Sequence, residues 1–263
     1  MKTTTFIIGI ACCSSLSLSA AVSIIPASGW NHDMVHNGSG PYASGVTGTM
    51  DGGFGQPENW TWVEAGTYLD STGTPQTIPG LVAGTHASLT GNGTFTFQPF
   101  SGNNVVGLDG GQSGTLLLDS AASYSSIALY GASGFGPKTA VITLTFTDAT
   151  TTDFAVDSET GIGNDWFNTG ADSAYIAGAR ASNRGEDGNL TLFQDVNESI
   201  RLHETFLVLS AADQSKSLES VTIQNTGGDR MAIFALSGQA IPEPSSSMLL
   251  VSCGLLGILR RRR

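Results

Sequence analysis

Two histidines four residues apart have a spacing that could serve metal binding. His32 and His36 enclose Asp-Met-Val, and a helix would turn both imidazoles to one face, as in zinc proteases. The acid of this stretch, Asp33, stands beside the first histidine, and glycines and a proline surround the segment, which argues against a helix. We therefore expect two exposed loop histidines here, and no zinc site.

A second group with chemical potential is a set of acids in a glycine-containing stretch. Calcium prefers several carboxylate and carbonyl oxygens on flexible backbone. The spacing lacks the third acid and terminal glutamate of an EF-hand, so we expect no cofactor, with calcium as the alternative. The acids that would bind it are Asp153, Asp157, Glu159 and Asp165.

One of these acids is also the best candidate for catalysis. Asp165 precedes Trp166 and Phe167, and glycosidases use two carboxylates at any sequence separation. The alternative is an aspartate in a turn before core aromatics. The sequence has no Gly-x-Ser-x-Gly elbow and no cysteine outside its two ends. We therefore expect a protein that is not an enzyme, with no catalytic residues.

Aromatic side chains indicate a third chemistry, since sugar rings stack on indole faces. Trp60 and Trp62 are two residues apart, so in a strand they lie on the same face. Together with Trp166 they are the candidate glycan-stacking residues. The alternative is that they fill the protein interior.

The elements that must position these residues are strands. Apolar residues alternate most clearly over 140–147, where Ile142, Leu144 and Phe146 share a face and threonines occupy the other. Turn signals such as Asp109-Gly110-Gly111 and Thr226-Gly227-Gly228 separate the runs. Further strands are predicted at 94–97, 114–118, 126–130, 153–156, 199–209, 218–224 and 230–236. With no helical stripe between them, this pattern predicts an all-β, single β-sandwich domain.

Charge excludes one class of partner. The formal net charge of the 263 residues is −11, and it becomes about −15 when Lys2, the four terminal arginines and Glu243 are left out. Such a surface repels phosphate backbones and anionic lipid, so we expect no nucleic-acid partner. Neutral glycans and divalent cations remain open. The three cysteines stand at positions 12, 13 and 253, so no disulfide framework is available to the middle.

The N-terminus has the layout of a secretory signal peptide. Lys2 precedes an apolar run over 6–13, and small residues end at Ala20 and Ala21. We predict cleavage after Ala21, which divides the chain into a signal peptide at 1–21 and a β-sandwich domain at 22–240.

The C-terminus combines an extended box, an apolar segment and a basic end. Prolines prevent a continuing helix, so the box is an extended, protease-accessible segment. The apolar run over 248–259 predicts a hydrophobic helix, and the positive-inside rule predicts a cytoplasmic location for the arginines that follow it. The box and the basic end consist of Pro242, Glu243, Pro244, Arg260, Arg261, Arg262 and Arg263.

Residues 241–263 resemble the PEP-CTERM sorting signal, which is also catalogued as the ice-binding-protein C-terminal motif. The resemblance implies transport across the inner membrane, recognition of the Pro-Glu-Pro box by an exosortase and removal of the hydrophobic tail. Such proteins occur in Gram-negative bacteria that make exopolysaccharide.

The middle also resembles the bodies of other PEP-CTERM proteins, which look like galactose-binding-type jelly rolls. The resemblance rests on short stretches such as Asp165-Trp166-Phe167 and 233–238. Together, residues and resemblance predict an exported protein, transiently anchored in the inner membrane and then at the cell surface or outside the cell. Its body would be a non-catalytic structural or glycan-binding sandwich, with polysaccharide as a partner. The alternative is a secreted hydrolase that acts on polysaccharide.

Overall fold

The computed structural model describes residues 22–37, 46–51, 60–69, 73–182 and 193–242. The signal peptide with Ala20 and Ala21, the hydrophobic helix, and Glu243, Pro244 and the four arginines lie outside these residues. What the sequence predicts for these segments therefore stays a prediction.

Strands dominate the described part of the chain. Their order is β1 (Ser23–Ile24), β2 (Ala27–Ser28), β3 (Val35–His36), β4 (Thr61–Val63), β5 (Gly66–Leu69), β6 (Pro75–Ile78), β7 (Thr85–Ala87), β8 (Thr94–Thr96), β9 (Val106–Leu108), β10 (Ser113–Ala122), β11 (Tyr124–Gly134), β12 (Ala140–Phe146), β13 (Thr151–Val156), β14 (Ser173–Ile176), β15 (Ala179–Ser182), β16 (Phe193–Val196), β17 (Arg201–Val208), β18 (Leu218–Asn225) and β19 (Arg230–Ala240). A 3-10 helix covers Gly161–Gly163, and the short helix α1 covers Ala211–Gln214.

Two antiparallel sheets form a sandwich. The middle sheet has the order β1-β19-β11-β17-β14, with β9 also paired to β19, and the outer sheet has the order β13-β12-β18-β10-β2. One face of each sheet supplies a shared apolar core, which includes Ile142, Leu144, Ile223 and Ile233. The alternation predicted over 140–147 is confirmed, since buried and half-buried residues alternate along the whole of β12.

A third layer covers the other face of the middle sheet. A four-stranded sheet with the order β16-β15-β4-β3 and the hairpin β7-β8 lie there. A second apolar core lies between this layer and the middle sheet. Successive residues of β19 therefore enter different cores, with Ile233 in the sandwich core and Phe234 in this second core. The ring of Trp62 in the third layer meets that of Phe234 edge to face, at 5.3 Å between centroids.

This third layer goes beyond the single sandwich expected from the sequence. The physical reason is visible in β11 and β19, which are buried over nearly their full length. A strand whose two faces are both covered has a continuous apolar run instead of alternation. The all-β class is confirmed, and the jelly-roll type stays a prediction.

Glycine is required at one predicted turn between strands. Gly110 follows β9 in the Asp109-Gly110-Gly111 turn, where a Cβ atom would lie 2.2 Å from the carbonyl oxygen of Gly228. The two turns at this end of the sandwich therefore pack backbone against backbone.

Helices contribute little to the described body. The side chain of Ser210 caps α1 by accepting a hydrogen bond from the Asp213 amide. In the described ranges, no helix is both long enough and apolar enough for a bilayer crossing.

The double burial of β19 can be tested by truncating a side chain in the second core. We expect Phe234→Ala to lower the free energy of unfolding by about 3–5 kcal/mol, because it leaves a cavity next to Trp62. The control is Val208→Ala in the same sheet, where the side chain is 67% exposed and the expected loss is below about 1 kcal/mol. Denaturant unfolding measures both. Equal losses in the two variants would contradict the layered arrangement.

Candidate functional site

The candidate site lies at the end of the middle sheet where β11 ends and β17 begins. A loop over 157–172 packs across this end, and the amide of Trp166 donates to the Ser133 carbonyl at 2.9 Å. Because β11 ends at Gly134, the turn that follows it lies directly against this loop. Two cavities open on the loop, and the side chains around them are held by the contacts described next.

Asp165 fixes the loop to the turn after β11. One carboxylate oxygen accepts the amide of Gly136 at 2.6 Å, and the other accepts the amide of Phe167 at 2.8 Å. Asp165 is 8% exposed, and both of its carboxylate oxygens accept hydrogen bonds from backbone amides. Of the two interpretations made from sequence, this geometry matches an aspartate that organises a turn before core aromatics.

Asp51 approaches the same turn from segment 46–51. Its carboxylate accepts the amide of Phe135 at 3.2 Å and pairs with the guanidinium of Arg180 at 3.3 Å. Burial raises the pKa of Asp51, and the charge of Asp165 adds to this, while the Phe135 amide and Arg180 act in the opposite direction. Arg230 anchors the segment, because it donates to the carbonyls of Thr49 at 3.0 Å and Met50 at 3.3 Å.

Arg180 lies among aromatic rings at the edge of the third layer. Its guanidinium carbon is 4.2 Å from the ring centroid of Trp60, 4.6 Å from that of Phe167 and 5.5 Å from that of Trp166. A flat cation over aromatic faces is stabilised by the ring quadrupoles. These contacts and the ion pair to Asp51 leave 17% of the Arg180 side chain exposed.

Phe135 is the exposed aromatic of this site. It is 57% exposed and has a φ of 54°, in the left-handed region where a bulky residue is rare. Its amide donates to Asp51, and its carbonyl accepts from the Lys138 ammonium at 2.7 Å. The backbone is thus held on both sides while the ring stays in solvent.

Two neighbouring cavities share a wall. The first, of about 170 Å³, is lined by Asp51, Phe135, Asp165, Trp166, Phe167 and Arg180. The second, of about 490 Å³, is lined by Glu159, Asn164, Phe167, Asn168, Thr169 and Ser199. Phe167 lies between a charged, aromatic cavity and a polar groove, an arrangement that offers ring faces next to hydrogen-bonding groups.

Behind the loop, a buried histidine links two acids. The ring of His203 is fully buried, with Nε2 3.1 Å from the carbonyl oxygen of Asp165 and Nδ1 3.3 Å from the carboxylate of Asp172. The second carboxylate oxygen of Asp172 accepts the Gly161 amide at 2.6 Å. Burial raises the pKa of Asp172, but the hydrogen bond and charge of His203 together with backbone amides, including that of Gly161, bring the pKa below its ordinary value.

The prediction of three glycan-stacking residues is corrected at two of them, Trp62 and Trp166. Trp62 is fully buried and Trp166 is 1% exposed, with their rings packed edge to face at 4.9 Å. Both fill the second core because β4 and the 157–172 loop turn them inward, so neither ring offers a free face to a sugar. Trp60 is half-buried, and Arg180 lies over its ring.

The calcium set is not gathered into one group. Asp153 accepts a hydrogen bond from Thr143 at 2.7 Å on the outer sheet, whereas Asp165 lies at the end of the middle sheet. Across the part of the chain that the structure describes, no three His, Cys, Asp or Glu side chains are grouped to hold a metal ion. The expectation of no cofactor, with calcium as the alternative, stays a prediction.

The prediction of two exposed loop histidines is wrong. His36 is fully buried in β3, where its ring lies 5.6 Å from that of Tyr68, and His32 is half-buried. The reason is that β3 pairs in parallel with β4 within the third layer, and the ring of Tyr68 in β5 packs against His36.

Sequence reasoning found Asp165 but missed Phe135, Asp51 and Arg180. One signal was present, because Gly134-Phe135-Gly136 places an aromatic residue between glycines in a turn. Asp51 and Arg180 join the site only through the pairing of β15 with β4, which no local pattern in the sequence shows.

The architecture and this site define a β-rich protein with an aromatic, solvent-open cavity, and the comparison with known families adds how it is sorted. The PEP-CTERM protein-sorting motif matches residues 240–263, so the match begins at Ala240, the last residue of β19. The chain therefore carries this motif, which implies export and processing by an exosortase. No curated protein matches the chain significantly.

Backbone strain at Phe135 generates a prediction about stability. We expect Phe135→Asn to leave the free energy of unfolding unchanged or to raise it by up to about 1 kcal/mol, because asparagine tolerates a positive φ better. Phe206→Asn, in the extended strand β17, is the control and is expected to destabilise the protein. Thermal and denaturant unfolding measure both. A larger loss for the Phe135 variant than for the Phe206 variant would contradict strain at this turn.

The His32–His36 stretch gives a prediction about pH. Burial raises the pKa of Asp33 to about 6, against the hydrogen bond from Asn104 and that from the Val35 amide, which lower it. A folded pKa above the unfolded value means that the protonated form stabilises the fold. This contribution is complete below about pH 4 and is lost as the pH rises through about 6. We expect wild type to lose stability over this range relative to Asp33→Asn.

Denaturant unfolding at intervals between about pH 4 and 7 measures this difference. The exposed Asp119→Asn variant is the control for the loss of one carboxylate. Parallel profiles for wild type and the Asp33 variant would show that the pKa of Asp33 is the same in the folded and the unfolded protein.

Proposed function

We propose that this protein is an exported, exosortase-sorted component of the cell surface or extracellular matrix whose body binds neutral glycan without turning it over. A tail helix holds the precursor transiently in the inner membrane, and the mature protein is then delivered to the surface or outside the cell. The single observation that carries the binding role is Phe135, an exposed aromatic ring at a cavity mouth on a strained backbone.

Strain of this kind supports a functional role. A bulky residue at positive φ costs on the order of 1 kcal/mol, and such residues cluster at ligand sites where the surroundings hold them. Phe135 is held through its amide and its carbonyl, so the backbone that carries the ring is fixed. The ring can stack on an apolar sugar face, and only its two side-chain torsions are left to be ordered on binding.

The polar groove supports a sugar ligand in a second way. Asn168 donates to Asn164 at 2.9 Å, and the Ser199 amide donates to Asn197 at 2.9 Å. Side-chain amides fixed by such bonds are preorganised partners for sugar hydroxyls. Phe167 adjoins both cavities, so stacking and hydrogen bonding are available to one ligand.

Charge favours a neutral ligand. The cavities carry the acids Asp51, Asp165 and Glu159 and the cation Arg180, and the chain has a formal net charge of −11. A polyanion would meet repulsion from this surface, and Arg180 is already paired with Asp51. A neutral polysaccharide has no such barrier.

A secreted hydrolase that acts on polysaccharide is the alternative, and one observation favours it. Asp51 and Asp165 line one cavity, and the pKa of Asp51 is raised, chiefly by burial, as expected for a general acid. Against it, both oxygens of Asp165 accept backbone amides. An aspartate bound in this way is a poor nucleophile or base, so binding without turnover is the better-supported function.

Titration of purified protein with neutral oligosaccharides tests the proposal. We expect Phe135→Asn to weaken binding about tenfold, corresponding to ~1.4 kcal/mol, because the stacking ring is lost. Val208→Asn, at an exposed position away from the cavities, is the control and should bind as wild type does. Unchanged binding by the Phe135 variant would show that the sugar binds elsewhere.

A hydrolase panel with the same oligosaccharides separates the two functions. Stoichiometric binding with no product release supports the proposal. Product release by wild type that is abolished in Asp51→Asn would establish the hydrolase instead. A purely structural matrix component would neither bind nor cleave.

A further inference from the structure

The two ends of the described chain leave the middle sheet at the same place. The short strand β1 is antiparallel to β19, with Ser23 opposite Gly238 and Ile24 opposite Ser237. At the far end of β19, the amide of Ile241 donates to the carbonyl of Ser123 at 2.8 Å. Residues 22 and 241 therefore both lie at the end of the sheet where β11 begins, which we call the terminal end.

Both predicted processing positions adjoin this end. Cleavage after Ala21 would leave Val22 as the first residue, and Val22 is 7% exposed and packed in the second core. The Pro-Glu-Pro box starts one residue after Ile241. The folded body thus extends almost to both processing positions.

The candidate site lies at the opposite end of the same sheet. Along β11, Tyr124 pairs with Ala240 at the terminal end, and Gly134 pairs with Arg230 at the other. Phe135 follows Gly134 directly. Because β11 has 11 residues and a strand rises 3.2–3.4 Å per residue, the cavity mouth lies roughly 30 Å from the terminal end.

From these registers we infer that the membrane-held precursor faces the lipid surface with its terminal end and presents the cavity beside Phe135 away from it. This inference rests on the membrane-held stage of the proposed function. Only residues 242–247 separate Ile241 from the apolar run that begins at Met248. Six residues span at most about 20 Å, so the body cannot move far from the bilayer.

The surface near the terminal end suits this orientation. Ser120 and Ala121 are exposed small residues, and the neighbouring Ser123 and Ser125 are half-buried. The cavity does not depend on cleavage for access, because the tether leaves from the other end of the sheet. A precursor still in the membrane binds its ligand as the processed protein does, and the sorting cut releases a body that already has access to glycan.

Depth measurements on the full-length, uncut chain in lipid vesicles test this orientation. Two matched variants, Ser120→Cys and Ser158→Cys, place a fluorescent dye near the terminal end and near the cavity groove, at positions that are both exposed. Cys12, Cys13 and Cys253 are replaced by serine in both. Vesicles of neutral lipid with a short-range quencher on a fraction of the headgroups supply the signal.

We expect several-fold stronger quenching of the dye in the Ser120 variant than in the Ser158 variant. Equal quenching, stronger quenching at Ser158, or no quenching of either dye would overturn the orientation. Labelling with a bulky water-soluble maleimide gives an independent readout. In vesicles relative to detergent, the reaction should slow for the Ser120 variant and keep its rate for the Ser158 variant.

Failure of this orientation is distinguishable from failure of the proposed function. Both measurements use lipid and dye alone and need no sugar. A body that binds no glycan can still show the expected quenching, and a body that binds glycan can be oriented otherwise. Titration of the vesicle-held chain with a neutral oligosaccharide then shows whether binding precedes the cut.

Discussion

The pairing of β19 with its neighbours is the constraint on which the rest of the body depends. This strand lies between β1 and β11 and also pairs with β9, and its alternate side chains enter two separate cores. Because both faces of β19 are covered, its apolar side chains contribute buried surface on either side of the sheet. Its first residue, Arg230, holds segment 46–51 through carbonyl contacts, so the same strand that joins the layers also positions one wall of the cavity.

The cavity is formed by four segments that meet at one end of that sheet. The turn after β11 supplies an exposed ring, the 157–172 loop supplies Asp165 and Phe167, segment 46–51 supplies Asp51, and the third layer supplies Arg180. The turn is fixed because Asp165 and Asp51 accept hydrogen bonds from its amides, and the third layer is joined to it by the Arg180–Asp51 ion pair. The acids therefore build the site's shape, and the aromatic rings provide the surface that a ligand can touch.

Sequence patterns predicted the long strands well because each has a signal of its own. The alternation over 140–147 and the apolar run over 230–236 both correspond to strands that the structure contains. The short strands β3 and β4 escaped prediction, since two or three residues are too few to show a period. The burial of His36, Trp62 and Trp166 was missed for the same reason, because His36 and Trp62 lie in these two strands and Trp166 packs against Trp62.

The residues of the site differ in the same way, because some are indicated by the local sequence and others are brought in only by long-range strand pairing. Asp165 was predictable because an acid beside aromatics is visible in the sequence, whereas Asp51 and Arg180 meet only after β15 pairs with β4. The local sequence can indicate that a residue belongs to a site, but it cannot show which strand pairings will bring the other residues of that site next to it.

The order of the strands along the chain has a consequence for how the body forms. Ser23 pairs with Gly238, so the middle sheet is complete only when residues from almost opposite ends of the body have come together. Contacts between residues so far apart in sequence raise the contact order, which slows folding through the entropy of loop closure. A chain of this topology can form its local hairpins early, but the layer that joins its two cores is the last to be completed.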